Sequence, residues 1–85
     1  LAGAFDVTPT PHNFSTGVGL AATLQVMACS PETEWLELDV TGYDLYETFL
    51  TSPLDIDAEG RVAVPTDPGL GVELTDDVVE TYGVE

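Results

Sequence analysis

One histidine and one glutamate occupy positions from which they could share a catalytic pocket. His12 closes the segment 4–12, AFDVTPTPH, and Glu37 lies in 34–40, EWLELDV, where apolar and acidic residues alternate as in a strand. About one β/α repeat separates the two residues, and neighbouring strands of a parallel barrel end on the same face. An imidazole and a carboxyl group placed there would act as general base and general acid. The spacing alone leaves other interpretations open, namely a loop histidine and a solvent-facing glutamate.

A strand–helix–strand order would bring these residues together. Segment 4–12 contains two prolines that remove ladder donors on one side, which predicts an extended segment but not a comfortable central strand. Residues 17–29 predict a helix that Ser15 or Thr16 caps. That helix is apolar nearly all round, so we expect it to be buried on more than one side. With the strand at 34–40, the order predicts two parallel strands joined by a right-handed crossover.

The second half of the chain contains shorter elements. Residues 43–50 predict a helix, because four large side chains recur at helical spacing. The four are Leu45, Tyr46, Phe49 and Leu50. Residues 54–56 and 62–64 flank the turn sequence DAEG and predict a hairpin. A glycine-rich turn follows, and Thr75 with two aspartates after it predicts the start of a second helix.

The parallel strand pair indicates that these residues belong to a larger protein. Parallel strands occur almost only in sheets that are covered on both faces. One crossover helix cannot cover a two-stranded pair in that way. The sequence also begins with Leu1 and not with methionine. We therefore expect a segment of a longer parallel-sheet protein.

Composition excludes several classes of function. The chain has sixteen acidic residues against one basic residue, Arg61, for a net charge of −15 and a pI near 4.1. Such a polyanion repels nucleic acid and anionic membranes. Its mean hydropathy of +0.14 argues against disorder, and no run of about 18 apolar residues could span a bilayer. Because the acids are dispersed, we expect a surface adapted to high salt, where screening suppresses self-repulsion.

Other chemistry-bearing residues carry weaker signals. A single cysteine, Cys29, cannot form an internal disulfide, which fits a reducing cytoplasm, and we expect it to be buried and inert. The DAEG turn imitates half of a calcium loop, but Thr66 stands where the closing glutamate belongs, so a plain hairpin turn is favoured.

Trp35 is expected to pack in the barrel wall or against helices. Asn13 could line the pocket beside His12, but a loop or capping role is favoured.

Three stretches of the sequence resemble a known family. VTPTPHNFSTGVGLAATLQ, then EWLELD, then PLDIDAEGRVAVPTDPGLGVEL are similar, in order and spacing, to the C-terminal end of the mandelate racemase and muconate lactonizing enzyme family of the enolase superfamily. The resemblance covers essentially the whole chain. It implies an α/β fold: the last two β/α units of a TIM-type (β/α) barrel in residues 1–52, and a tail, 53–85, that returns toward the capping domain.

The resemblance also implies roles for individual residues. His12 matches the catalytic base at the end of the seventh strand, as in mandelate racemase-like members, and Glu37 matches the carboxylic acid at the end of the eighth. Asn13 stays a candidate substrate contact only because it lies next to His12. The family uses Mg²⁺ to stabilise an enediolate. The metal ligands, a lysine base and the aspartate that orients the histidine would all lie upstream of Leu1, so we predict that the isolated chain is inactive.

The implied parent is a cytoplasmic, Mg²⁺-dependent racemase or dehydratase, expected to be homo-oligomeric. It would abstract the α-proton of a small carboxylate substrate, a 2-hydroxy or sugar acid, and the partner of this segment would be the remainder of the parent chain. A different class of function stays open at this point. In that alternative the chain is an autonomous acidic interaction or cation-binding module without catalysis, and His12 and Glu37 are incidental.

Overall fold

The computed structural model describes residues 1–41 and 48–84. A short 3-10 helix spans Ala2–Phe5, and two α-helices follow, α1 at Gly17–Ala28 and α2 at Asp76–Tyr82. In these two stretches strand pairing takes the form of isolated bridges. They are His12 with Glu37 (parallel), Leu50 with Leu74 (antiparallel) and Ile56 with Val62 (antiparallel). The predicted sheet is thus reduced to single points of contact in this chain.

The N-terminal segment departs from the prediction of an extended chain over 4–12. Ala4 N donates to Leu1 O at 3.0 Å and closes the 3-10 turn. Asp6 then ends it in the left-handed conformation, with φ 55°. The prediction is therefore wrong for Ala4 and Phe5, because local hydrogen bonds between close neighbours are satisfied before any strand partner is available.

Helix α1 confirms the predicted central helix almost to the residue. Thr16 is its N-cap residue, but its side chain makes no capping hydrogen bond, so the predicted cap is confirmed in position only. Cys29 is the C-cap residue. Leu20, Ala21 and Leu24 are buried, and they share one face because Leu24 lies four positions after Leu20 and three after Ala21. Val26 is exposed, so burial on more than one side is not seen in this chain. The buried residues therefore make up only a narrow part of the apolar surface of α1.

Helix α2 begins where predicted, and its start is tied to residues 48–51. The Thr75 side chain accepts from Val78 N, and Asp76 and Asp77 occupy the first turn, where negative charge is favourable. Backbone bonds join Thr75 N to Phe49 O at 3.2 Å and Thr51 N to Glu73 O at 2.9 Å. These bonds flank the bridge between Leu50 and Leu74.

The predicted helix over 43–50 is only partly open to comparison. Residues 42–47 lie outside the described residues. Residues 48–50 are not helical, so the prediction is wrong there. The reason is the pairing just described, in which backbone groups of residues 49 and 51 bond to residues 75 and 73 and not to helical neighbours.

The hairpin around DAEG is confirmed. Ile56 pairs with Val62, Asp57 N donates to Arg61 O at 2.8 Å, and Gly60 N donates to Asp57 O at 3.0 Å. Asp57 Oδ1 accepts from the backbone N–H groups of Glu59 and Arg61, which is the usual way an aspartate stabilises a turn.

The chain exposes more surface than a compact protein of its size. Its accessible surface is 6394 Å², whereas about 4,900 Å² is expected for a folded monomer of this mass. The radius of gyration is 14.2 Å, against about 12 Å for a compact domain of this length. Five apolar residues are buried among those described: Leu20, Ala21, Leu24, Leu50 and Val78. No helix in the described stretches is long and apolar enough to cross a bilayer.

Candidate active site

The structure brings His12 and Glu37 together as partners in a parallel bridge. Glu37 N donates to Pro11 O at 3.0 Å, which fixes the two segments side by side and in the same direction. Bridge partners project their side chains on the same face of a sheet. Both residues are exposed. The imidazole and the carboxylate therefore leave the backbone on one open face, as a cooperating pair requires.

Proline chemistry limits this pairing to one point. Pro11 provides the carbonyl that accepts from Glu37. It has no N–H, so the ladder cannot continue through a donor at this residue. By strand alternation the backbone groups of Thr8 and Thr10 point toward the opposite edge. The backbone N–H groups of Thr8 and Thr10 are therefore expected on the edge away from Glu37. A further strand could pair there.

Asn13 faces helix α1. Its Nδ2 donates to Thr23 Oγ1 at 3.4 Å, and Thr23 Oγ1 donates to Gly19 O at 3.0 Å. The Asn13 side chain is half-buried. This geometry favours the loop role, and the substrate contact of Asn13 stays a prediction.

Two large aromatic side chains lie close to the candidate residues in sequence, Phe14 two positions after His12 and Trp35 two positions before Glu37. Phe14 is 73% exposed and Trp35 is 70% exposed. The predicted packing of Trp35 is thus not formed by this chain, because the described residues leave its indole largely open. Burying either ring would remove roughly 150–250 Å² of surface from water.

The charges around the site are almost all negative. Arg61, the one Lys or Arg in the sequence, lies in the hairpin, where Nε contacts Asp57 Oδ2 at 3.2 Å and Nη2 contacts Glu59 Oε2 at 3.4 Å. These pairs are exposed and contribute little stability. They do occupy the Asp57 carboxylate, which counts against a calcium site at the turn. The sequence contains no lysine, so Arg61 is the only Lys or Arg that this chain could offer to a substrate anion.

The residues described here do not form a magnesium site. Across 1–41 and 48–84, no three His, Cys, Asp or Glu side chains converge closely enough to hold an ion. Mg²⁺ requires near-octahedral oxygen coordination, usually with one or two carboxylates. The described residues therefore provide no cluster of three or more ligands for the metal that the resemblance implies.

The tail docks onto α1 through one glutamine. Gln25 Nε2 donates to Pro65 O at 2.8 Å and to Leu70 O at 3.4 Å. Gly71, with φ 74°, closes the same loop, and a Cβ there would lie 2.5 Å from Pro65 Cβ. The sequence predicted a glycine-rich turn here but did not show that α1 would hold it.

A cleft of about 370 Å³ lies within the tail, between 52–55 and 63–67. Leu54, Val64 and Pro65 are among its lining residues, and neither His12 nor Glu37 borders it. The candidate active site is thus an open face, separate from this cleft.

Cys29 is exposed at the end of α1, so the prediction that it is buried is wrong. It is the C-cap residue, and its N–H bonds back to Val26 O at 3.1 Å. Its position past the last helical turn places it outside the buried stripe.

Comparison with known proteins identifies the family. A sequence model described as enolase C-terminal domain-like matches residues 1–78. The chain belongs to this family, whose fold is the C-terminal region of an α/β TIM-type barrel. The resemblance to the C-terminal part of the enolase superfamily is thereby confirmed.

Three curated relatives are similar over most of this chain. D-galactarolactone cycloisomerase of Agrobacterium fabrum is 33% identical over 96% of it, and arabinonate dehydratase of Saccharolobus solfataricus is 33% identical over 85%. D-xylonate dehydratase of Haloferax volcanii is 34% identical over 100%. The chain spans only 24%, 19% and 20% of these proteins, respectively. No solved structure matches it.

Proposed function

We propose that this chain forms the last two β/α units, residues 1–52, and the C-terminal tail, 53–85, of a barrel enzyme that dehydrates sugar acids. The family match supports the barrel, and two of the three relatives are named as dehydratases of sugar acids. The observation that carries the proposal is the parallel bridge between His12 and Glu37. It is the pairing expected of neighbouring strand ends at the mouth of a barrel.

The proposed reaction begins with proton abstraction. An imidazole nitrogen of His12 takes the proton from the carbon next to the substrate carboxylate, and the electron pair of that C–H bond moves into the carboxylate to give an enediolate. Glu37, as a carboxylic acid, hydrogen-bonds the oxygen on which negative charge accumulates. The β-hydroxyl then leaves as water after accepting a proton, which the imidazolium of His12 can return. The enol that forms rearranges to a 2-keto-3-deoxy acid.

The chain's own residues account for only part of this chemistry. Magnesium, when bound, would stabilise the negative charge on the enediolate. Because the described residues provide no cluster of three or more ligands for that ion, the proposal leaves its ligands to residues outside this chain. The remainder of the parent polypeptide is accordingly the proposed partner of this segment. The large exposed surface supports this partner more than an autonomous module.

His12→Asn in the parent enzyme tests the proposal. Arabinonate and xylonate are offered in D₂O, and NMR follows both the exchange of the α-proton and the appearance of keto acid. We expect wild type to turn over at least one sugar acid, and the variant to lose about 10²–10⁴-fold in both readouts, because general-base catalysis contributes that much.

Cys29→Ser is the matched control, because Cys29 is exposed at the far end of α1. It should retain wild-type exchange and turnover. Unchanged exchange in His12→Asn would remove His12 from the role of base, and failure of wild type on every sugar acid would reject the proposed substrate class.

A further inference from the structure

Asn13 connects the residue after the candidate base to the backbone of α1. Two hydrogen bonds run in sequence, from Asn13 Nδ2 to Thr23 Oγ1 at 3.4 Å and from Thr23 Oγ1 to Gly19 O at 3.0 Å. A hydroxyl that donates one hydrogen bond can still accept another, so Thr23 can serve both partners at once. The loop that follows His12 is thereby bonded to the helix that follows it.

Gly19 provides the space for this connection. A Cβ built on Gly19 would lie 2.8 Å from Asn13 Oδ1 and 3.0 Å from Asn13 Nδ2. The first distance is shorter than real Cβ contacts and the second is tighter than most of them, so the Asn13 amide crowds the place of an alanine methyl group. Glycine within a helix is unfavourable relative to alanine, and here the missing side chain is what admits the Asn13 amide.

We infer that Asn13, Gly19 and Thr23 form a latch that positions the imidazole of His12. The inference rests on the proposed function, since it assigns these residues to the orientation of its base. The chain leaves the bridge at His12 and enters α1 at Gly17, so few residues set the direction of that turn. Fixing the very next side chain against α1 limits how far the imidazole can shift. Asn13 is thus a positioning residue rather than a substrate ligand.

Paired substitutions at Thr23 in the full-length parent enzyme test the latch. Thr23→Val keeps the branched shape but removes the hydroxyl, whereas Thr23→Ser keeps the hydroxyl and both hydrogen bonds. We expect Thr23→Val to lower kcat about 10-fold with little change in KM, because a small misplacement of a catalytic group can cost up to about 10²-fold. Thr23→Ser should retain kcat within about twofold.

Gly19→Ala provides a second, independent measurement. The added methyl group displaces the Asn13 amide, while alanine favours the helix, so the thermal midpoint should change little. We expect kcat to fall about as far as in Thr23→Val. Loss of activity without loss of stability would separate positioning from a purely structural role.

His12→Asn on the same substrate separates the two proposals. If His12→Asn retains activity, the proposed function fails. If His12→Asn abolishes exchange while both Thr23→Val and Gly19→Ala retain kcat, only the latch is wrong. Reduced kcat that follows a reduced thermal midpoint in every variant would also overturn the latch, and a raised KM confined to Asn13→Ala would restore the substrate contact.

Discussion

Glu37 owes its place beside His12 to the backbone. Its N–H donates to the carbonyl of Pro11, the residue before His12, so the carboxylate is aligned with the imidazole by the pairing of two segments. A substitution that changes only the Glu37 side chain should therefore leave this alignment in place. Because backbone pairing and side-chain chemistry are independent here, a substitution at Glu37 tests the chemistry alone.

Glu37→Gln in the parent enzyme should lower kcat by about 10²–10³-fold, the scale of losing one group that stabilises a developing oxyanion. The amide keeps the shape but donates a weaker hydrogen bond than a carboxylic acid and cannot transfer a proton. Steady-state kinetics on the sugar acid that wild type prefers would measure the effect. An increase in KM at constant kcat would show instead that Glu37 binds substrate and transition state equally.

Sequence reasoning located the candidate pair but missed the residues around it. The separation of His12 and Glu37 by one β/α repeat was readable because parallel barrels repeat at that interval. Thr23 and Gly19 gave a weaker signal, a hydroxyl and a glycine four positions apart in an apolar helix. That spacing places them on one helix face. Which loop side chain would contact that face depends on tertiary packing, which no local pattern reveals.

At the scale of elements, the loop held by α1 depends on the absence of a side chain at Gly71. Its φ is 74°, and a Cβ there would lie 2.5 Å from Pro65 Cβ and 3.0 Å from Pro65 C. Pro65 is in turn bonded to Gln25 of α1, so it cannot move without loosening the tail. Gly60 has a similar φ, 77°, but open space around it. The two glycines have nearly the same backbone conformation, but only Gly71 lacks space for a Cβ.

This contrast predicts two different costs. Gly60→Ala should destabilise the parent enzyme by about 1–2 kcal/mol, the cost of a left-handed residue with a side chain. Gly71→Ala should lose about 1–3 kcal/mol more, because the methyl group also overpacks against Pro65. Denaturant unfolding of both variants measures the difference. Equal losses would show that the loop adjusts freely around residue 71.

The helices were predictable because their signals are local. Thr75 and two aspartates define the start of α2 from three adjacent residues, and α1 follows from an apolar run with a capping residue before it. The strands were less predictable, because a strand forms only when a second segment pairs with it. Ala4 and Phe5 illustrate this, and residues 48–50 show that a predicted helix can fail for a similar reason. Local turns or a single antiparallel bridge took the backbone groups that the sequence pattern had assigned to other elements.

At the scale of the whole molecule, the charge of −15 dominates. The described acids are dispersed over the surface, and salt bridges neutralise few of them. Between 0.1 M and 1 M salt the screening length falls from about 10 Å to about 3 Å, which removes most repulsion between such groups. The salt-adapted surface expected from the sequence stays a prediction, which the salt dependence of stability can test.

We predict that the thermal midpoint of the parent enzyme rises between 0.1 M and 2 M KCl, on the order of several degrees. Replacing Glu34, Glu73 and Glu80 with glutamine should reduce this rise, since all three are exposed. Replacing the same three with aspartate keeps the charge and serves as the matched control. Identical salt dependence in both triple variants would show that repulsion among these acids does not limit stability.

Arg61 has a practical consequence for handling the molecule. Trypsin cuts after lysine or arginine, and this sequence offers a single such bond, between Arg61 and Val62. That bond lies inside the hairpin, where the Arg61 N–H and carbonyl are both engaged by Asp57 and the guanidinium contacts Asp57 and Glu59. A protease can cleave it only after these contacts open. Within these 85 residues, cleavage at this single bond therefore reports the opening of one hairpin, without any added label.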